Sequence, residues 1–371
     1  MKKWYLGVSI ALSLSAHAEI TPQQSYKDFK QQYQQEYKTF KTEYEQNYHE
    51  FKEKVASYWG DKTELSDADT YIHYSDDLQQ RTIVDFADNT ISVERLGNEA
   101  INTNSVKALL EELSTTSVRE QAKKDPLLSN IDVNSDQTVL AAWAPQNSVE
   151  DIIEKAELAT SESTAKTKKP ESESSATTKR VQRMQLTLPK SNVLDSRAAD
   201  FLATAQQQAQ ELNLPLELIM AVMEVESSFN PLAQSPIPAF GLMQIVPTTA
   251  GMDVNRFVFE QDSIPSTEVL FDPSQNIEFG GHYLAILRDR YLDKITNPES
   301  RLYCMIAAYN TGAGNVAKTF HPEKEKRISA AVTEINKLTP QQVYDRLEQQ
   351  LPYQETRAYM GKVRSAMQRY Q

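Results

Sequence analysis

The chain has 371 residues, of which 51 are acidic and 39 basic, and its net charge is -12. At roughly 100 to 200 residues per domain, this length predicts two folded domains with connecting segments. The acidic balance argues against a protein that follows nucleic-acid phosphates, because such proteins need a basic surface. A neutral or locally charged ligand fits the composition better.

The first residues have the pattern of a secretory signal. Two lysines precede an apolar run at residues 4–14, and a small-residue cleavage site follows at residues 16–18. The run is shorter than the ~20 residues that span a bilayer, and no later segment supplies such a stretch. We therefore expect residues 1–18 to be a removable signal peptide and the mature chain to have no transmembrane segment.

Residues 26–55 contain an aromatic repeat with a period of eleven. Each repeat has a Tyr, a Phe three residues later, and a Tyr or Val four residues after that. This spacing keeps the rings on one helical face opposite Lys, Gln and Glu, which predicts a long amphipathic helix over residues 19–62. Two uses of the stripe remain open: packing on its own domain or a second copy, or binding a membrane surface or a protein of the cell envelope.

The next region alternates between apolar and polar residues. Residues 81–86 and 90–94 flank Asp88 and Asn89, which predicts a β-hairpin. Helical spacing at residues 106–113 and a further alternating run at residues 180–188 predict an α+β domain over residues 63–190. Residues 160–178 are mostly Ser, Thr, Glu and Lys without a large apolar side chain, so we expect a disordered insertion at about residues 158–179.

Residues 191–371 have helical patterns separated by Pro, Gly and Asn, and strand alternation is absent. We therefore expect a mostly α domain. It contains the single cysteine, Cys304, in an apolar run. An intramolecular disulfide is impossible, and we expect a buried thiol.

Within this domain, residues 215–227 predict an apolar helix whose three carboxylates lie in two different surroundings. Glu217 and Glu224 share one polar stripe, whereas Glu226 lies about 200° around the helix from Glu224, among apolar side chains. Burial raises the pKa of a carboxyl group and suits it to protonate a glycosidic oxygen. A glutamate paired with a buried arginine, or one that caps a loop, is the structural alternative.

Three motifs follow the Glu-Ser pair at residues 226–227: Gly-Leu-Met-Gln at 241–244, Ala-Tyr-Asn at 308–310, and Glu-Thr-Arg-Ala-Tyr at 355–359. Together, in this order, they resemble the soluble-lytic-transglycosylase-type (SLT) catalytic domain, a lysozyme-like fold related to goose-type lysozyme, across residues 197–371. The hairpin and final strand before Leu188 resemble the N-terminal domain of the membrane-bound lytic murein transglycosylase C family.

The sequence departs from these patterns at two places. Pro238 stands where the SLT pattern often has a glycine before its Gly-Leu-Met-Gln motif. The cysteine that carries the lipid in lipoprotein members is missing near the signal cleavage site. The membrane anchor of those members is therefore not carried over to this chain.

The resemblance implies that Glu226 is the catalytic acid/base of a lytic transglycosylase. It also implies a set of residues that line or orient the bound glycan: Ser227, Met243, Gln244, Tyr309, Asn310 and Tyr359. For Ser227 and Met243, roles in the core remain equally open. The ligand would be a peptidoglycan glycan strand, with no nucleic acid involved.

The implied reaction cleaves the β-1,4 bond between MurNAc and GlcNAc without water and forms a 1,6-anhydroMurNAc end. A single carboxylate suffices, because the 6-hydroxyl of the sugar attacks its own C1. Two alternatives remain: a lysozyme-type hydrolase that uses water, and a cell-wall-binding protein without activity. No metal cluster, phosphate loop or nucleotide motif occurs in the sequence, so we expect no cofactor. The expected location is the periplasm, with peripheral attachment to the outer membrane left open.

Overall fold

The computed structural model describes residues 22–129, 135–140, 156–167, 177–188, 190–236 and 238–371, with residues 133, 149, 153 and 154 between them. The predicted signal peptide lies outside these residues. Among the described residues, no helix combines the length and apolar character needed to cross a membrane.

The first element is helix α1, Pro22–Trp59, close to the predicted span, and a 3₁₀ turn at Gly60–Lys62 follows it. In the part of its aromatic stripe whose side chains are described, Tyr44 and Val55 are buried and Tyr48 and Phe51 are half-buried. The rings before Tyr44 lie outside the described side chains. The amphipathic character of the whole helix therefore stays a prediction.

A five-stranded antiparallel sheet follows α1, in the spatial order β1-β2-β3-β5-β4. Its strands in chain order are β1 Thr70–Tyr74, β2 Gln80–Asp85, β3 Thr90–Leu96, β4 Glu157–Thr167 and β5 Thr177–Thr187. The predicted hairpin is confirmed, because β2 pairs with β3 from Gln80 opposite Arg95 to Asp85 opposite Thr90. The predicted last strand is also present, and it pairs with β3.

The two faces of the sheet are covered by different helices. On one face, Ile72 and Ile83 pack with Val55 and Trp59 from the end of α1. The other face packs against α2, Thr103–Thr115, and α3, Val118–Lys124. Because side chains alternate along a strand, both faces can be buried by apolar residues at neighbouring positions. The predicted α+β character of this region is confirmed.

The predicted disordered insertion is wrong over residues 158–167 and 177–179. Strand β4 pairs with β5 along its whole length, from Glu157 opposite Thr187 to Thr167 opposite Thr177. Most of its side chains are exposed, but Ala165 and Thr167 are buried. The composition predicted disorder because it lacks large apolar residues; the backbone hydrogen bonds to β5 supply the order instead. Residues 168–176 lie outside the described part of the chain.

After residue 188 the named elements of the described chain are helical, as predicted. They are α4 Lys190–Leu212, α5 Leu216–Ser227, a π-helical turn Pro247–Gly251, α6 Met252–Phe257, α7 Thr267–Phe271, α8 Pro273–Ile286, a π-helical turn Leu287–Tyr291, α9 Pro298–Thr311, α10 Ala313–Phe320, α11 Ile328–Ile335, α12 Pro340–Gln350 and α13 Gln354–Met367. Helices α5, α9 and α13 contribute the apolar side chains of the core around the predicted catalytic residues. Cys304 is buried, as expected.

The sheet region holds the loop that follows α5. The Ser228 hydroxyl donates a hydrogen bond to a carboxylate oxygen of Asp69 at 2.8 Å, and the Asn230 amide donates to the Ala68 carbonyl at 3.1 Å. Arg197, which is 1% exposed, donates to the Asn89 side chain at 2.6 Å. Residues around the end of α5 are therefore positioned by both parts of the chain.

Candidate active site

Glu226 lies in the last turn of α5. Ser228 and Phe229, directly after the helix, both have positive φ angles, of 49° and 62°, so the chain turns away at once and leaves the helix end open. Burial raises the pKa of Glu226 to about 8, and the negative charges of Glu355 and Asp69 add to this increase, whereas the Tyr359 hydroxyl lowers it. The carboxyl group therefore stays protonated at neutral pH, although part of its surface still faces the cleft.

Glu224 points in a different direction, as its position on the helix predicts. Its carboxylate pairs with Arg369, and the Tyr370 hydroxyl donates a hydrogen bond to it at 2.7 Å. These contacts compensate its charge outside the cleft. Two glutamates two residues apart therefore have opposite environments.

The side chain of Glu226 opens into a cleft of about 470 Å³. Four of the six residues predicted to contact the glycan line it: Gln244, Tyr309, Asn310 and Tyr359. Helices α5, α9 and α13 and the turn at residues 241–244 bring these residues together. The four motifs, separated in sequence, therefore meet at one site.

The turn that carries Gln244 depends on backbone conformations that few residues adopt. Gly241 has φ 72°, and a Cβ atom there would lie 2.3 Å from the Leu270 carbonyl oxygen. Gln244 has φ 45°, and its side-chain amide donates to the Gly241 carbonyl at 3.0 Å. One amide hydrogen of Gln244 thus closes the turn, and the rest of the group remains available for a ligand.

A buried asparagine, Asn276 on α8, holds this turn in place. Its amide donates to the carbonyls of Phe240 and Leu270, both at 2.8 Å, and its oxygen accepts from the backbone N–H of Met243 at 2.7 Å. Sequence reasoning missed Asn276. Its local sequence, Pro-Ser-Gln-Asn-Ile-Glu at residues 273–278, is mostly polar and gives no signal that Asn276 is buried and needs hydrogen-bond partners.

The structure does not bring the side chains of Ser227 and Met243 into the cleft, and we correct their predicted role. The Ser227 hydroxyl is buried within hydrogen-bonding distance of the Met223 and Leu242 carbonyls, at 3.0 and 2.7 Å. Met243 is buried against Gly280, where an added Cβ would lie 2.1 Å from the methionine sulfur. Both side chains pack in the core behind the cleft wall, where α5 and the 241–244 turn lie close together.

The two predicted tyrosines differ in how their hydroxyl groups are used. The Tyr309 hydroxyl donates to the Met243 carbonyl at 2.8 Å, so its ring forms cleft wall while its polar end is held by the protein. The Tyr359 hydroxyl lies close enough to Glu226 to lower the pKa of that carboxyl group, yet it makes no hydrogen bond of good geometry within the described chain. The Tyr359 hydroxyl can therefore donate a hydrogen bond to the ionised carboxylate of Glu226 or to a bound ligand.

Three charged residues that sequence reasoning did not assign to the site also line the cleft: Asp69, Glu355 and Lys362. Asp69 comes from the sheet region, and nothing in its local sequence indicates this position. Glu355 belongs to a motif that had been noted for Tyr359. Within the described residues, no group of three or more His, Cys, Asp or Glu side chains is placed to hold a metal ion.

Comparison with known proteins gives two family matches. The transglycosylase SLT domain matches residues 203–332, and the N-terminal domain of membrane-bound lytic murein transglycosylase C matches residues 32–157. A membrane-bound lytic murein transglycosylase C from Glaesserella parasuis is 34% identical over 307 residues, which cover 81% of this chain and 79% of the relative. The chain belongs to the membrane-bound lytic murein transglycosylase C family. The predicted resemblance is confirmed.

Other family members match over a shorter stretch. Those from Histophilus somni and Cronobacter sakazakii are each 44% identical, over 174 and 179 residues, which cover 47% and 48% of this chain. These alignments span about half the length of the relatives, 47% and 48% respectively. Among solved structures, the 70 kDa soluble lytic transglycosylase of Escherichia coli has a TM-score of 0.34 at 25% identity, covering 45% of this chain and 23% of that one.

Proposed function

We propose that this member of the family is a peptidoglycan lytic transglycosylase. It cleaves the β-1,4 bond between MurNAc and GlcNAc without water and leaves a 1,6-anhydroMurNAc end. The observation that carries the proposal is the position of Glu226, whose carboxyl group has a pKa of about 8 and opens into a cleft lined by tyrosine and amide side chains. Such a group is a proton donor at neutral pH.

In the first step, Glu226 gives its proton to the glycosidic oxygen, and the bond from that oxygen to C1 of MurNAc breaks. In the second step, the ionised Glu226 accepts the proton of the MurNAc 6-hydroxyl as its oxygen bonds to C1. Glu226 therefore ends the reaction protonated, as it began, and no second residue has to donate or accept a proton. The attacking oxygen is already part of the substrate, which removes most of the entropic cost of a bimolecular attack.

The other cleft residues have separable roles in this proposal. Tyr359 stabilises the ionised form of Glu226 between the two steps, in keeping with the direction in which its hydroxyl changes the pKa of that carboxyl. Gln244 and Asn310 have amides that can both donate to and accept from sugar hydroxyl and acetamido groups. Tyr309 offers an aromatic face to the sugar while its hydroxyl is engaged with the protein.

Hydrolysis is the second candidate reaction, and one observation favours it. Asp69 and Glu355 line the same cleft as Glu226, and a glycosidase that uses water needs a second carboxylate as base or nucleophile. In that case the product would carry a reducing end. A cell-wall-binding protein without activity is a third candidate, but binding alone does not require a protonated carboxyl in the cleft.

Digestion of purified sacculi followed by mass spectrometry separates these candidates. Anhydro ends are lighter than reducing ends by one water, so the proposal expects the lighter series from the wild-type protein. Glu226→Gln should yield no product. Glu217→Gln, which removes a carboxylate from the first turn of the same helix, should yield the wild-type series. Reducing ends would establish hydrolysis, and wild-type turnover by Glu226→Gln would refute the role of this residue.

We further propose the domain division predicted from the sequence, with a helix at 19–62, an α+β domain at 63–190 and a catalytic domain at 191–371. Export through residues 1–18 and a periplasmic location are supported by the name of the relatives, which are membrane-bound. The aromatic stripe of α1 before Tyr44 is proposed to bind a protein of the cell envelope, since tyrosines favour such partners over lipid.

A further inference from the structure

A second cavity, of about 550 Å³, lies between the sheet region and the helical region. Asp69 and Asn89 line it from the sheet side, and Arg197, Lys362 and Arg369 line it from the helical side. Asp69, Val225 and Lys362 line both this interdomain cavity and the cleft that contains Glu226. The two spaces therefore share one wall.

The interdomain cavity is dominated by charge rather than by aromatic rings. Three cations, Arg197, Lys362 and Arg369, and two carboxylates, Asp69 and Glu224, line it. Its one aromatic side chain, Phe86, is buried. Sugars are usually bound by ring stacking and neutral hydrogen-bonding groups, so this lining suits a ligand that itself carries both signs of charge.

The charges of the cavity differ in how far they are already compensated. Arg369 pairs with Glu224, and Arg197 is buried and donates to the Asn89 side chain and the Ser228 carbonyl. Lys362 is exposed, and its charge lowers the pKa of Asp69, although the two groups do not form an ion pair. It is the cation best placed to bind a carboxylate, and it stands on the wall between the cavity and the cleft.

We propose that the interdomain cavity binds the stem peptide of the peptidoglycan strand whose glycan occupies the cleft. This proposal rests on the proposed function. Stem peptides branch from MurNAc and combine carboxylates with the ammonium group of a diamino acid. Lys362 binds a peptide carboxylate, and Asp69 faces the ammonium group. The sheet region thereby makes the enzyme prefer peptide-bearing strands over bare glycan.

The test compares two substrates: glycan strands with their peptides, and the same strands after an amidase has removed the peptides. The measured quantity is the ratio of kcat/KM for the two substrates, followed through the release of anhydro ends. Ser365→Trp fills the cavity from an exposed position of α13, and Lys362→Gln removes the ammonium group that would bind the peptide carboxylate. Lys318→Trp and Lys318→Gln place the same changes on an exposed part of α10 that does not line the cavity.

We expect wild type to have a higher kcat/KM on peptide-bearing strands than on bare glycan. Ser365→Trp and Lys362→Gln should each lower the ratio of the two values at least fivefold. The Lys318 variants should keep this ratio within twofold of wild type. An unchanged preference in Ser365→Trp would overturn the peptide proposal. An equal loss on both substrates in Ser365→Trp would overturn it too, because it would mean that the cavity binds the glycan. Absence of anhydro ends from either substrate with wild type would instead refute the proposed function.

Discussion

Replacement of Glu226 by glutamine should stabilise the protein in a way that depends on pH. The pKa of this carboxyl group is about 8 in the folded chain against an ordinary value of 4.5. Between these values the folded chain keeps a proton that the unfolded chain has released, so the free energy of unfolding falls as pH rises, by about 1.4 kcal/mol per pH unit. Because Glu226 is half-ionised near the upper end, the loss between pH 6 and pH 8 amounts to about 2 kcal/mol.

Glutamine does not titrate and avoids this loss. The stability of Glu226→Gln relative to wild type should therefore increase by about 2 kcal/mol from pH 6 to pH 8, which corresponds to roughly 4 to 8 °C in the relative melting temperature. Urea unfolding followed by circular dichroism at several pH values measures the difference. Glu217→Gln is the matched control on the same helix. Stability profiles of Glu226→Gln and wild type that run parallel over this range would refute the buried, protonated carboxyl group.

Three further predictions concern the site and its support. Activity on sacculi should decline as pH rises through about 8, since Glu226 must be protonated. Tyr359→Phe should move this decline to higher pH, and Glu355→Gln should move it to lower pH, because the first residue lowers the pKa of Glu226 and the second raises it. Shifts in the opposite directions would contradict the assignment. Asn276→Ala should lower the free energy of unfolding by about 2 to 4 kcal/mol, because buried backbone groups lose their partners, and an unchanged urea midpoint would show that the turn needs no such support. Gly241→Ala should cost more than about 1 kcal/mol through the strained φ and the contact with a carbonyl, and a wild-type melting temperature would contradict this reasoning.

The local pattern of the sequence was enough to predict several elements. Period-two alternation predicted the β2–β3 hairpin, and helical spacing predicted that Glu224 and Glu226 face different surroundings. Both predictions are confirmed, because side-chain direction within one helix or hairpin follows from backbone geometry alone. The prediction of disorder from composition was wrong for β4. This strand has little apolar surface, but its backbone hydrogen bonds to β5 order it.

Motifs predicted which segments form the site, but not which side chains reach it. Gln244 lines the cleft while its neighbour Met243 fills the core, although both belong to one motif. The φ angles of the turn and the close approach of Gly280 decide this difference. Such details depend on packing between segments that are far apart in the chain.

By itself, the sequence determined the family, the helical character of the second half and the identity of the candidate acid, since these follow from motifs and from the 3.6-residue period of a helix. Only the tertiary structure decided that Asp69 joins the cleft of Glu226 and that a charged cavity lies beside it. The physical reason is that the pKa of a carboxyl group and the charge of a cavity depend on every group within a few ångströms, and the fold draws those groups from separate parts of the chain.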